Sequence, residues 1–81
     1  MIGNSYVVRG GENEHLRYLV FAQDAQEAWV RSGSIKNPTI TKVREGISLL
    51  DHNDLEAAAV KRGWKQGSGW SRDNHDEWLA S

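Results

Sequence analysis

Apolar positions along the chain come in short runs broken by glycines and polar clusters. Ser5-Tyr6-Val7-Val8-Arg9 is rich in strand formers and stops at Gly10-Gly11, while Leu16-Arg17-Tyr18-Leu19-Val20-Phe21-Ala22 is the strongest strand signal in the sequence. The glycine-led segment between them predicts a turn, and the whole predicts a β-hairpin. In the second strand Leu19 and Phe21 share one face, and Tyr18, Val20 and Ala22 the other. Apolar groups on both faces predict a central strand, or one whose second face is covered.

Asp24-Ala25-Gln26-Glu27 reads as a helix start, an acidic cap with a glutamate three residues on. Ala25, Ala28, Trp29 and Ser32 then line one helical face, with Gly33 placed to end the helix. Small alanines let this helix lie close to the sheet, and Trp29 is expected to fill the remaining gap. Pro38 biases Asn37 away from helix. Thr39-Ile40-Thr41-Lys42-Val43-Arg44-Glu45 alternates and is β-branched, which predicts a third strand broken at Gly46. Ile47-Ser48-Leu49-Leu50 either continues that strand past a bulge or pairs as a fourth. Strand, helix and strand in this order predict a crossover. Asp51-His52-Asn53-Asp54 offers several caps for a second helix, whose buried stripe is Leu55, Ala58 and Ala59 with Arg62 at its end. Lys61 and Arg62 in its last turn favour the helix dipole. Gly63 ends it, and Trp64 stands where a glycine C-cap makes its hydrophobic contact.

The expected fold class is therefore α+β: a small three- to four-stranded sheet, built as hairpin, crossover helix and strand, with two helices on one face. We read residues 1–81 as a single domain in which 64–81 form a polar, glycine-rich, tryptophan-bearing tail. Part of that tail can stay flexible, and Asp73 to Leu79 can form a short C-terminal helix.

Composition narrows the function more than the fold. With 38% apolar and 26% charged residues over 81 positions, the chain fits a soluble globular protein lean in its core. The stretch Leu19-Val20-Phe21-Ala22 is far short of the ~20 apolar residues a spanning helix needs. No charged and then apolar leader opens the sequence, and cysteine is absent, which removes disulfides and thiolate chemistry. The expected address is cytoplasmic. Ten basic against eleven acidic residues, a net charge of −1, argue against a strongly basic nucleic-acid binder.

Catalytic patterns are missing. No two histidines share the spacing that presents both imidazoles on one helical face, and no serine lies in a Gly-x-Ser-x-Gly turn. Gly67-Ser68-Gly69 is too short for a phosphate loop. Asp51, His52, Asp54, His75, Asp76 and Glu77 would hold a metal only if the tail folded back, and such polar clusters at helix starts more often act as caps. Neither a metal nor a cofactor is expected, and the chain reads as a non-enzyme. The unusual segment is Lys61-Arg62-Gly63-Trp64-Lys65-Gln66-Gly67-Ser68-Gly69-Trp70-Ser71-Arg72. Its cations and indoles suit either a protein hot spot or a single-strand nucleic-acid grip. The plainer reading folds Trp64 and Trp70 under the helices as a lid on the core.

In the order of its elements, from Tyr6-Val7-Val8 through Tyr18-Leu19-Val20-Phe21-Ala22 and Asp24-Ala25-Gln26-Glu27-Ala28 to Thr39-Ile40-Thr41-Lys42-Val43-Arg44-Glu45, the chain resembles the small proteins phages encode against their hosts. The type I anti-CRISPR inhibitors are the nearest of these. The resemblance implies a non-catalytic inhibitor of a host complex and carries over no functional residue. The expected function is thus macromolecule binding, foremost of another protein, with Trp64, Lys65, Trp70, Arg72, Trp78, Lys61 and Arg62 as contact candidates. Single-stranded nucleic-acid binding through 61–72 is the alternative, and a small metal-dependent hydrolase around His52 and His75 the third. No membrane association is expected, and the protein is read as a monomer or homodimer.

Overall fold

The computed structural model describes residues 1–10, 13–62 and 64, with the backbone alone over 13–16. Strands β1 (Ile2–Gly10) and β2 (Asn13–Ala22) are followed by helix α1 (Ala25–Arg31), strand β3 (Thr39–Ser48) and helix α2 (Leu49–Lys61). The sheet order is β2-β1-β3, and β1 is antiparallel to both neighbours. Strands β2 and β3 therefore run parallel to each other on either side of β1, and α1 is the crossover that joins them. The central strand is β1; β2 lies at an edge, apolar on both faces because each face of the sheet carries a helix.

Register assigns the two faces. Ser5 stands opposite Phe21 and Val7 opposite Leu19, while Tyr6 faces Val20 and Val8 faces Tyr18. Tyr6, Val8 and Ala22 pack with Ala28 of α1, and Tyr18, Val20, Ile35 and Ile40 border that cluster. On the other face Val7 and Leu19 pack with Ala59 of α2 and with Trp64, flanked by Val43 and Leu55. The expectation that both helices share one face is thus corrected: they lie on opposite faces. The crossover helix already covers one side of the three strands. Val7, Leu19 and Phe21 on the reverse side would otherwise face water, so α2 must cover them.

Local signals explain the helix ends. Asp24 caps α1 by accepting the Glu27 amide proton at 2.8 Å, and the Glu27 carboxylate accepts from the Gln23 amide at 3.2 Å. Ala28, fully buried, takes the position against the sheet. Trp29 lies half-buried and donates its indole N–H to the Ile35 carbonyl at 2.7 Å, so it fastens the helix to the connector.

Strand β3 continues past Gly46 to Ser48, and its register with β1 shifts twice, between Gly3 and Ser5 and between Ser5 and Tyr6. Gly46 adopts φ 65°, and its amide donates to the Asn4 side-chain oxygen at 3.0 Å. No fourth strand forms among the described residues, because Leu49 and Leu50 already belong to α2. That helix begins earlier than its polar cluster suggested: Ser48 is the cap, accepting from the Asp51 amide at 3.1 Å. Asp51, His52, Asn53 and Asp54 consequently lie inside the helix. The amide of Trp64 closes its far end by donating to the Ala59 carbonyl at 3.0 Å, the long bond of a Schellman ending. The expected C-terminal helix falls outside the described residues. Among those described, no helix is long and apolar enough to cross a membrane.

One glycine is required by two independent constraints. Gly10 has φ 134°, and a Cβ there would stand 2.5 Å from the Asn37 carbonyl oxygen. Gly10→Ala is expected to cost about 2 kcal/mol in a urea titration, since both the backbone and the connector must yield. An unchanged midpoint would show that the connector does not rest on this turn.

Candidate functional site

Among the described residues, a cluster with recognisable chemistry sits between α2 and the sheet. Ser5 is on the α2 face of β1, and its Oγ lies 2.7 Å from Nδ1 of His52, in the first turns of α2. On the other side of the ring, Nε2 is 3.6 Å from the Glu56 carboxylate one helical turn further on. The imidazole leans on Phe21 of β2, ring centroids 5.4 Å apart. With its proton on Nε2, toward Glu56, the ring accepts the Ser5 hydroxyl proton at Nδ1. Burial holds the His52 imidazole below its ordinary pKa, against a smaller opposing pull from Glu56.

Serine, histidine and glutamate in line suggest a nucleophile, base and orienting acid. Both side chains are buried, Ser5 at 0% and His52 at 4% exposure. What the arrangement does is bind α2 to the central strand through a satisfied polar contact inside an apolar layer.

Neither partner was legible as half of a pair. Ser5 shares a strand face with Val7, a polar residue on what becomes a core face, and His52 leads the sequence stripe His52, Leu55, Ala59. That stripe is buried or half-buried throughout, whereas Ala58, expected in it, is half-buried beside it. The metal reading of His52 required His75, Asp76 and Glu77, which lie outside the described residues. Among those described, no three metal-ligating side chains converge.

Of the contact candidates, Lys61, Arg62 and Trp64 are among the described residues. Trp64 is a core residue at 3% exposure, packed on Val7, Leu19 and Ala59, as the lid reading had it. There the indole covers the α2 face of the sheet. Lys61 and Arg62 are exposed at the end of α2, where the Arg62 guanidinium reaches the Ala58 carbonyl at 3.5 Å. Lys65, Trp70, Arg72 and Trp78 lie outside the described residues.

Sequence reasoning missed a different surface. Because β2 and β3 are parallel, both helices start at the same end of the sheet, beside the beginning of β1. Ile2 is paired with Ser48, and Leu49 and Leu50 follow directly. Met1, Ile2, Leu49 and Leu50 are all exposed there, Leu50 by 75% and Ile2 by 60%. The signal in the sequence was Leu49-Leu50 at a helix start, ahead of the buried stripe, with Leu50 out of phase with it. No family model, curated protein or solved structure matches this chain.

Proposed function

We propose that this protein is a non-catalytic binding module that docks on another protein. The observation that supports the reading is the exposure of two adjacent leucines, Leu49 and Leu50, at the start of α2 in a molecule whose core is otherwise thin. Exposed apolar groups grouped in this way are costly to leave in solvent and mark interaction surfaces. The buried Ser5–His52 contact supports it from the other side, since among the described residues the catalytic-looking pair is buried. Inhibition of a host complex, as the resemblance to anti-CRISPR inhibitors implies, is one form such binding takes.

The experiment is capture from native cells on the immobilised full chain, with nuclease treatment and a salt wash. A bound protein that persists in stoichiometric amount through both is the expected result. Nucleic acid alone, released between about 50 and 200 mM salt, would overturn the reading in favour of phosphate contacts.

A further inference from the structure

We infer that the polar pocket at the end of the sheet away from the helix starts binds a phosphate group, as the free ion or as a small monoester. The site stands apart from protein docking and needs no second macromolecule. Its volume is about 210 Å³, and Arg9 and Gly10 of β1, Asn37 of the connector and Thr39 of β3 line it. That is below the ~300 Å³ at which drug-sized sites begin, and it has room for a phosphate with a short substituent.

Register brings the donors together. Arg9 and Thr39 are cross-strand partners, so the guanidinium and the hydroxyl leave the same face of the sheet. Arg17 is the partner of Arg9 on β2 and adds a second cation to that face. Arg9 is exposed and forms no ion pair among the described residues, whereas Arg31 and Lys42 are paired with Glu27 and Glu45. Lys36 is exposed one position before Asn37. Neither β1 nor the stretch from Ser34 to Lys42 contains an acid; those nearest to Arg9 along the chain are Glu12 and Glu14, just past Gly10.

The walls are fixed by backbone. The connector packs so closely on Gly10 that a Cβ there would stand 2.5 Å from the Asn37 carbonyl oxygen. Asn37 itself holds φ 51°, a left-handed conformation that persists in a side-chain-bearing residue only where its surroundings impose it. The lining thus carries a planar fork, a hydroxyl and a side-chain amide on three separate elements. The fork suits two phosphate oxygens, and the hydroxyl and amide suit the remaining ones, a set that a carboxylate with two oxygens leaves partly unused.

The test titrates the full chain with inorganic phosphate, glycerol phosphate and acetate at constant ionic strength and neutral pH, read by backbone amide shifts. Saturable shifts at Arg9, Gly10, Asn37 and Thr39 are expected with phosphate. Glycerol phosphate binding at least as tightly makes the monoester the ligand, and its exclusion makes it the free ion. Arg9→Gln should weaken phosphate binding at least about tenfold, as loss of a charge-assisted pair does. Thr39→Val should weaken it about fivefold, as loss of one hydrogen bond does. Lys42→Gln, on the opposite face of β3 from Thr39, should bind as the parent does; the dispersion of each spectrum shows that the variant is folded. Shifts that do not saturate, or an Arg9→Gln chain that binds as the parent does, would mean that the guanidinium is merely solvated or held by the acids of the turn, and the site is overturned. Acetate matching phosphate, or Lys42→Gln losing as much as Arg9→Gln, would reduce the effect to general charge and overturn it equally.

Discussion

Replacing Trp64 by alanine is expected to remove about 3–5 kcal/mol of stability, the usual cost of emptying a large aromatic site in a core. A domain of this length has little to spare, so a large unfolded fraction is expected at room temperature. The reason lies in how thin the layer under α2 is. Val7, Leu19, Ala59 and Trp64 form one buried cluster there, and the indole is by far the largest of them. Ala59 cannot fill the space, and the strands cannot collapse without breaking their ladder. Trp64→Phe should cost much less: the buried indole N–H meets no acceptor among the described residues, so phenylalanine gives up no hydrogen bond there. Urea unfolding of both variants decides the matter. A Trp64→Ala chain as stable as its parent would return the residue to the surface and to the contact role that its sequence neighbours suggested.

Stability is also expected to fall with acid through His52. Burial keeps the folded imidazole below its ordinary value of 6.5, with Glu56 opposing more weakly. Above that value the ring is neutral in both states and the Ser5–His52 contact contributes fully. As pH drops below it, the unfolded chain takes up a proton that the folded chain refuses, so stability declines until the folded ring itself titrates and the loss levels off. Burial sets this sign. Among the described residues around the ring, Ser5 from β1 and Phe21 from β2 carry no charge, Arg44 of β3 stands in register with Ser5, and Glu56 supplies a neighbouring acid. His52→Ala should cost about 3 kcal/mol at neutral pH, combining a cavity beside Phe21 with an orphaned Ser5 hydroxyl. His52→Gln should flatten the stability profile between neutral and mildly acidic pH, where carboxylates still hold their charge. Equal slopes in parent and glutamine variant would mean that the ring is not protected from protons, and that α2 is held by Leu55, Ala59 and Trp64 alone.

These effects meet in α2. The helix is long enough to propagate but short on apolar stripe, so it depends on one buried polar contact near its start and one indole just past its end. Between them it presents Leu50 and Asp54 outward.

Much of the local structure was written in neighbouring residues. The hairpin, the Asp24 cap of α1, the alternating third strand and the Trp64 ending of α2 each arise from interactions a few positions apart, and such interactions leave a pattern along the chain. The pairing order β2-β1-β3, the opposite placement of the helices and the meeting of Ser5 with His52 across 47 positions leave none. They depend on which strand edges join and which apolar face remains to be covered once α1 has crossed. A serine between strand formers and a histidine among helix-start polar groups look alike whether they end in water or in a core. Trp64 shows the same limit: its residue type suits contact and burial equally, and only the bare face formed by Val7 and Leu19 decided between them.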